Sequence, residues 1–151
     1  MSNYSIKIWK IEINLVFLHA KKIFHTMDLG ERLESNINRS DYKILIVDDV
    51  QSNVLLLKIL LTNEKFKVCT ANCGNMCIEM AKSEKPDLIL LDVMMPDISG
   101  FDTAVILKKD PATSEIPIIF LTALNSPSDL VHGFQVGAND FLSKPFNKEE
   151  L

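Results

Sequence analysis

Glycine is scarce in this sequence, with five in 151 residues. They stand at positions 30, 74, 100, 133 and 137, and no grouping of them makes a phosphate-cradling P-loop or a dinucleotide fingerprint, which disfavours nucleotide hydrolysis. A basic excess is missing too. Sixteen Lys and Arg face 20 Asp and Glu, a formal net charge of -4, where a dedicated nucleic-acid binder would carry a surplus of positive charge. Cysteine is represented by Cys69, Cys73 and Cys77 alone, an odd set crowded into nine residues. Such a set makes no disulfide framework and suits reduced thiols in the cytoplasm, so secretion is disfavoured. No apolar run is long enough to span a bilayer, because Lys7, Lys10, Glu12, Lys21 and Lys22 interrupt the richest region, Ile6 to Met27. Export is rejected as well: Leu15 to Leu18 is too short for a signal-peptide core and leads into His19-Ala20-Lys21-Lys22. Loose membrane contact stays open.

What is present is enough for one domain and an appendage, since 47% of residues are hydrophobic and 24% charged. The polar stretch Glu34 to Asp41 reads as a linker, dividing an N-terminal extension with linker (1–41) from a domain (42–151). In the extension, Trp9, Ile13, Val16, Phe17, Ala20, Ile23, Phe24 and Met27 share one face at helical spacing, while Ile11, Ile13, Leu15 and Phe17 also fit a strand alternation. Helix is the preferred reading. Met27 is an alternative translation start.

From Tyr42 onward, short apolar runs alternate with longer helical patterns. Strands are predicted over Lys43–Val47, Lys67–Thr70, Leu88–Leu91, Ile116–Leu121 and Asp140–Leu142, with Pro117 tolerated at the first positions of the fourth. Helices are predicted over Ser52–Asn63, Cys73–Lys82, Gly100–Lys108 and Pro127–Val136. Ser126, Pro127 and Asp129 supply an N-cap, an N1 proline and an N3 acid for the last of these, and Gly137 a left-handed end. Lys108 and Lys109 suit a helix C-terminus. Five strands of near-continuous apolar character imply an α/β fold, a parallel sheet covered on both faces. The pattern stops at Phe146 to Leu151, the opening turn of a fifth helix.

A sheet of this kind binds ligands at the carboxyl ends of its strands. The first strand delivers Asp48 and Asp49 there, the third Asp92 followed by Val93-Met94-Met95-Pro96, the fourth Thr122 and Ala123, and the fifth Ser143-Lys144-Pro145. Three carboxylates brought together repel one another, and a hard divalent cation relieves this: Mg²⁺ takes oxygen ligands and keeps waters that a phosphate can replace. Lys144 can pair with a phosphoryl oxygen, and Thr122 can donate a hydroxyl hydrogen bond to another. With no nucleotide loop, what remains is a carboxylate nucleophile that attacks phosphorus. A lone strand-end carboxylate is more often a turn residue or helix cap than a ligand, but the joint set of Asp48, Asp49, Asp92, Thr122 and Lys144 is hard to explain that way. The three cysteines are read as buried or partly exposed thiols, and His19, His25 and His132 as surface residues.

At these residues the sequence resembles the CheY-like receiver domain of two-component response regulators. The likeness spans about Tyr42 to Leu151 and rests on Ile44-Leu-Ile-Val-Asp48-Asp49, Pro86-Asp87-Leu-Ile-Leu-Leu-Asp92-Val-Met-Met-Pro96, Gly100-Phe101, Ile116-Pro117-Ile-Ile-Phe-Leu-Thr122-Ala123, Gly137-Ala138-Asn-Asp140-Phe141 and Lys144-Pro145-Phe146. It implies a flavodoxin-like, doubly wound five-stranded sheet of order 2-1-3-4-5. It also implies a phosphorelay module in which Asp92 is the phosphoacceptor. Asp49, Asp92 and the Met94 backbone carbonyl would bind Mg²⁺, and Asp48 would act mostly through a coordinated water. Thr122 and Lys144 would bind the phosphoryl group, Ala123 would leave room for the donor, Phe141 would turn inward after Thr122, and the Lys144-Pro145 bond would be cis. The implied partners are a histidine kinase or a histidine phosphotransfer protein, and a dimer stays open.

Two departures stand out. Phe141 lacks the phenolic hydroxyl of many relatives, and the fifth helix is truncated, so either the chain is a fragment of a longer regulator or hybrid kinase, or another segment covers that surface. The apolar face of the N-terminal segment is the expected cover. Two other functions compete. One is a degenerate receiver serving as a docking scaffold; the other is a Mg²⁺-dependent phosphatase of the haloacid-dehalogenase type, which would need an acid where Met94 stands.

Overall fold

The structure, a computed structural model, describes residues 39–122, 127–138 and 140–143. The expectations for the N-terminal extension, Ala123, the Ser126 cap, Lys144, the cis bond at Pro145 and the truncated helix lie outside the described residues.

After a 3-10 turn at Arg39–Asp41, the elements run β1 (Lys43–Val47), α1 (Gln51–Asn63), β2 (Lys67–Ala71), α2 (Gly74–Glu84), β3 (Leu88–Asp92), α3 (Gly100–Lys109), β4 (Ile118–Thr122), α4 (Pro127–Gln135) and β5 (Asp140–Ser143). All strand pairings are parallel, and the sheet order is β2-β1-β3-β4-β5. β3, the sequence Leu-Ile-Leu-Leu-Asp, is buried along its whole length at the centre. Its residues alternate between two faces, as the period of a strand demands. Ile44, Ile46, Leu88, Leu90, Ile119 and Leu121 join Leu57 and Leu61 of α1 in one core cluster. Leu45, Val47, Ile89, Leu91, Ile118 and Phe120 join Cys77 and Ala81 of α2 and Ala104 and Leu107 of α3 in the other. Each fully buried Leu or Ile contributes about 1.5–3 kcal/mol, so the two faces together fix the register that sets out the strand ends.

The element ends show where local chemistry overrides pattern. Cys73 does not open α2; it is the N-cap, its Sγ accepting from the Met76 amide at 3.4 Å. Pro117 lies just ahead of β4, where it gives the ladder its carbonyl, accepting from Ile89 N at 3.0 Å, while its missing N–H costs nothing. Gly137 closes α4 at φ +100°, with Gly137 N bonded to Phe134 O and Ala138 N to Gly133 O, both at 3.1 Å. Lys108 stands in the last turn of α3, as expected, but its ammonium is committed to two loop carbonyls, Ile116 O at 2.7 Å and Ser114 O at 3.2 Å.

Candidate functional site

Pairing of β1 with β3 and of β3 with β4 brings three of the sequence-selected residues to one rim. Val47 is level with Leu91, and Asp92 with Leu121, so Asp48 follows the end of β1 close to Asp92, and Thr122 lies one step past Asp92's neighbour. Asp48, Asp49 and Asp92 each present a carboxylate oxygen within 4.8 Å of the others.

The three carboxylates are held differently. The Asp48 amide extends the ladder by one bond, donating to Ala71 O at 3.2 Å, and its side chain is fully buried. Oδ1 accepts from Val50 N at 2.9 Å and Oδ2 from Asn53 Nδ2 at 3.2 Å. Val50, the N-cap of α1, makes no side-chain cap of its own, so Asp48 does that work from beneath the first turn. Asp49 is exposed. Asp92 is 1% exposed, with Oδ1 accepting from Met94 N at 3.3 Å. Asp92 is enclosed because it ends the central strand between Asp48 and the 3%-exposed Thr122. Solvent reaches the cluster at Asp49, and Met94, two residues after Asp92, is 67% exposed.

Two unit charges at such separations repel by about 3–4 kcal/mol at an effective dielectric near 20, so carboxylates gathered this closely favour a cation among them. The donor set fits a hard one. All three donors are oxygen, and the opposite corners of a Mg²⁺ octahedron are about 4.2 Å apart. A gathering within 4.8 Å is compact enough for such an ion to be shared between carboxylates and water.

Phe141 sits opposite Phe120 in the β4–β5 register, two positions before the Thr122–Ser143 pair. Its ring is half-buried and packs against Phe120 at 5.4 Å between centroids and Phe134 at 5.1 Å. It also lies over Gly133, so closely that a Cβ there would overlap the ring. His132 is exposed, as expected, though it makes an edge contact with Phe101 at 4.7 Å.

The sequence reading missed two residues around the cluster. Asn53 is one, its amide five residues from Asp48 on the first turn of α1, a spacing that a capping search could have found. Asp97 is the other. Its carboxylate bonds to Gly74 N at 3.0 Å and Asn75 N at 2.9 Å, partners that no local pattern reveals.

Among known proteins, residues 44–151 match the family model of the response regulator receiver domain. The chain is 47% identical over 105 residues to the response regulator PleD of Caulobacter vibrioides, covering 70% of this chain and 23% of that protein. It is 38% identical over 109 residues to protein PilH of Pseudomonas aeruginosa, covering 72% of this chain and 90% of that one. The chain thus spans less than a quarter of PleD and most of PilH. Among solved structures, the chemotaxis protein CheY4 of Vibrio cholerae superposes with a TM-score of 0.67 at 33% identity, covering 72% of this chain and 90% of that chain. An α/β parallel sheet with an acidic cluster at its rim and a family match over most of its length lead to one assignment: this chain belongs to the response regulator receiver domain family.

Proposed function

We propose that this chain is a phosphoacceptor module of a two-component phosphorelay, with residues 42–151 as the receiver and 1–41 as an extension and linker. The observation that carries the reading is the convergence of Asp48, Asp49 and Asp92 within 4.8 Å at the carboxyl end of the sheet. One Asp92 carboxylate oxygen attacks the phosphorus of a phosphorylated imidazole on a histidine kinase or histidine phosphotransfer protein. The O–P bond forms as the P–N bond breaks, and the electron pair returns to the imidazole nitrogen. Asp49, Asp92 and the Met94 carbonyl are the residues that would hold Mg²⁺, with Asp48 acting through a water. When bound, the ion supplies positive charge against the phosphoryl oxygens. Thr122 donates its hydroxyl hydrogen to one phosphoryl oxygen, and Lys144, the residue after Ser143, pairs its ammonium with another.

Because Asp92 is 1% exposed, the donor approaches from the Asp49 side and the neighbouring side chains part to admit it. The phosphoryl group then draws Thr122 towards itself, and Phe141 repacks beside it, so that the surface around α4 and β5 changes for a partner to read. A near-complete reversal of such an equilibrium takes about 5 kcal/mol of preference for one state. This is signalling chemistry in the cytoplasm rather than multiple-turnover catalysis.

The test is incubation of the protein with Mg²⁺ and acetyl phosphate. The expected product is an acid-stable, base-labile phosphoryl adduct, absent in Asp92→Asn and absent when Mg²⁺ is chelated. No adduct on the unaltered protein would favour the scaffold reading, and sustained turnover of unrelated phosphoesters would favour the phosphatase.

A further inference from the structure

The loop after Asp92 is closed at its neck. Val93 N donates to Leu121 O at 3.2 Å, and Gly100 N returns to Val93 O at 2.8 Å. Gly100 sits so close to the Asp92 carbonyl that a Cβ would overlap it, so the neck admits no side chain. Between these points the chain from Met94 to Ser99 bulges out, and Met94 is the residue whose carbonyl the proposed Mg²⁺ site uses. What fixes the far side of the bulge is Asp97. Its two carboxylate oxygens accept from the first two amides of α2, Gly74 N at 3.0 Å and Asn75 N at 2.9 Å.

Three observations make this a built contact. The N-cap of α2 is Cys73, whose sulfur is a weak acceptor and reaches Met76 N at only 3.4 Å, so the helix start is left for an outside carboxylate to satisfy. Hydrogen bonds from the backbone N–H of Asn75 first, with those of Ile98 and Gly74, hold the Asp97 carboxyl down at about 2, so the tether is anionic under all ordinary conditions. Ile98 packs so tightly on Gly74 that a Cβ there would overlap its Cγ1, which seats the bulge on α2 by shape as well as by charge.

We propose that Asp97 is a positioning residue for the phosphorylation site: by tying the bulge to the start of α2, it holds the Met94 carbonyl where a divalent cation bound by Asp49 and Asp92 can use it. The inference rests on the metal reading above. Residues that hold a ligand in place from behind are typically worth ten- to a hundredfold in metal affinity.

The test is calorimetric titration of the full chain with Mg²⁺, alongside amide hydrogen exchange at Gly74, Asn75 and Met94. In Asp97→Ala, the expected result is about tenfold weaker Mg²⁺ binding and faster exchange at all three amides, with the urea midpoint as a separate record of stability. Asp97→Asn, which keeps one acceptor oxygen, should fall between. Gly74→Ala, whose Cβ would overlap Ile98 and Thr103 at the seat of the bulge, should also weaken Mg²⁺ binding. Unchanged affinity in folded Asp97→Ala overturns the positioning role, as does unchanged exchange at Met94. Absence of Mg²⁺ binding to the unaltered chain would instead sink the metal reading. In that event the Met94 exchange rate alone decides whether Asp97 orders the bulge.

Discussion

Replacing Gly133 with alanine tests the packing of the proposed switch aromatic. An added Cβ would overlap Phe141 Cζ and lie 2.8 and 2.9 Å from Cε1 and Cε2, so the ring has to leave. Leaving abandons the contacts with Phe120 and Phe134, worth about 0.5–1.5 kcal/mol each, or about 1–3 kcal/mol together. Against this, alanine is better than glycine within a helix by about 0.5–1 kcal/mol. The single variant should therefore lose about 1 kcal/mol of stability. In a Phe141→Ala background no ring is in the way, and the same change should stabilise by about 0.5–1 kcal/mol. Urea unfolding of the four proteins in this double-mutant cycle reads the difference as a coupling of about 2 kcal/mol. If alanine at position 133 stabilised both backgrounds equally, the ring would not occupy that space, and the packing account of Phe141 would be wrong.

Two further outcomes follow from individual groups. Burial pushes the Cys77 thiol up to about 12, so at pH 8 iodoacetamide should modify the half-buried Cys69 and Cys73 well before Cys77; early labelling of Cys77 in the folded protein would contradict its place in the core. The Asp97 carboxyl is held at about 2 against an ordinary 3.8, so its tether contributes fully above 3.8 and is lost as pH falls through about 2. The Asn75 amide resonance should follow that low midpoint, and a midpoint at the ordinary carboxylate value would show that the bond does not form.

The strands were legible because burial on both faces leaves little but Ile, Leu and Val, as in Ile-Leu-Ile-Val of β1 and Leu-Ile-Leu-Leu of β3. The acidic cluster was legible for a related reason: Asp48, Asp49 and Asp92 interrupt or end such runs where a parallel sheet exposes its carboxyl rim. Where reading failed, the cause was a contact made through space. Cys73 and Pro117 stand at element boundaries where the apolar pattern runs on past the regular structure, so both read as lying inside elements that they border. Lys108 lies in the last turn of α3 as its sequence suggests, but its bonds to Ser114 O and Ile116 O exist only once the chain folds. Asp97 meets α2 across 22 and 23 residues, and the enclosure of Asp92 depends on neighbours from two other strands. Neither leaves a periodic trace in the sequence.

The central claim is that the carboxylates just past β1 and at the end of β3 hold one divalent ion beside the nucleophilic oxygen of Asp92. Recording backbone amide resonances during a Mg²⁺ titration tests it most directly. The account predicts a single saturable transition concentrated at Asp49, Asp92, Val93 and Met94, abolished by Asp49→Ala. Shifts spread evenly over the acidic surface, or a transition that survives that substitution unchanged, would contradict it.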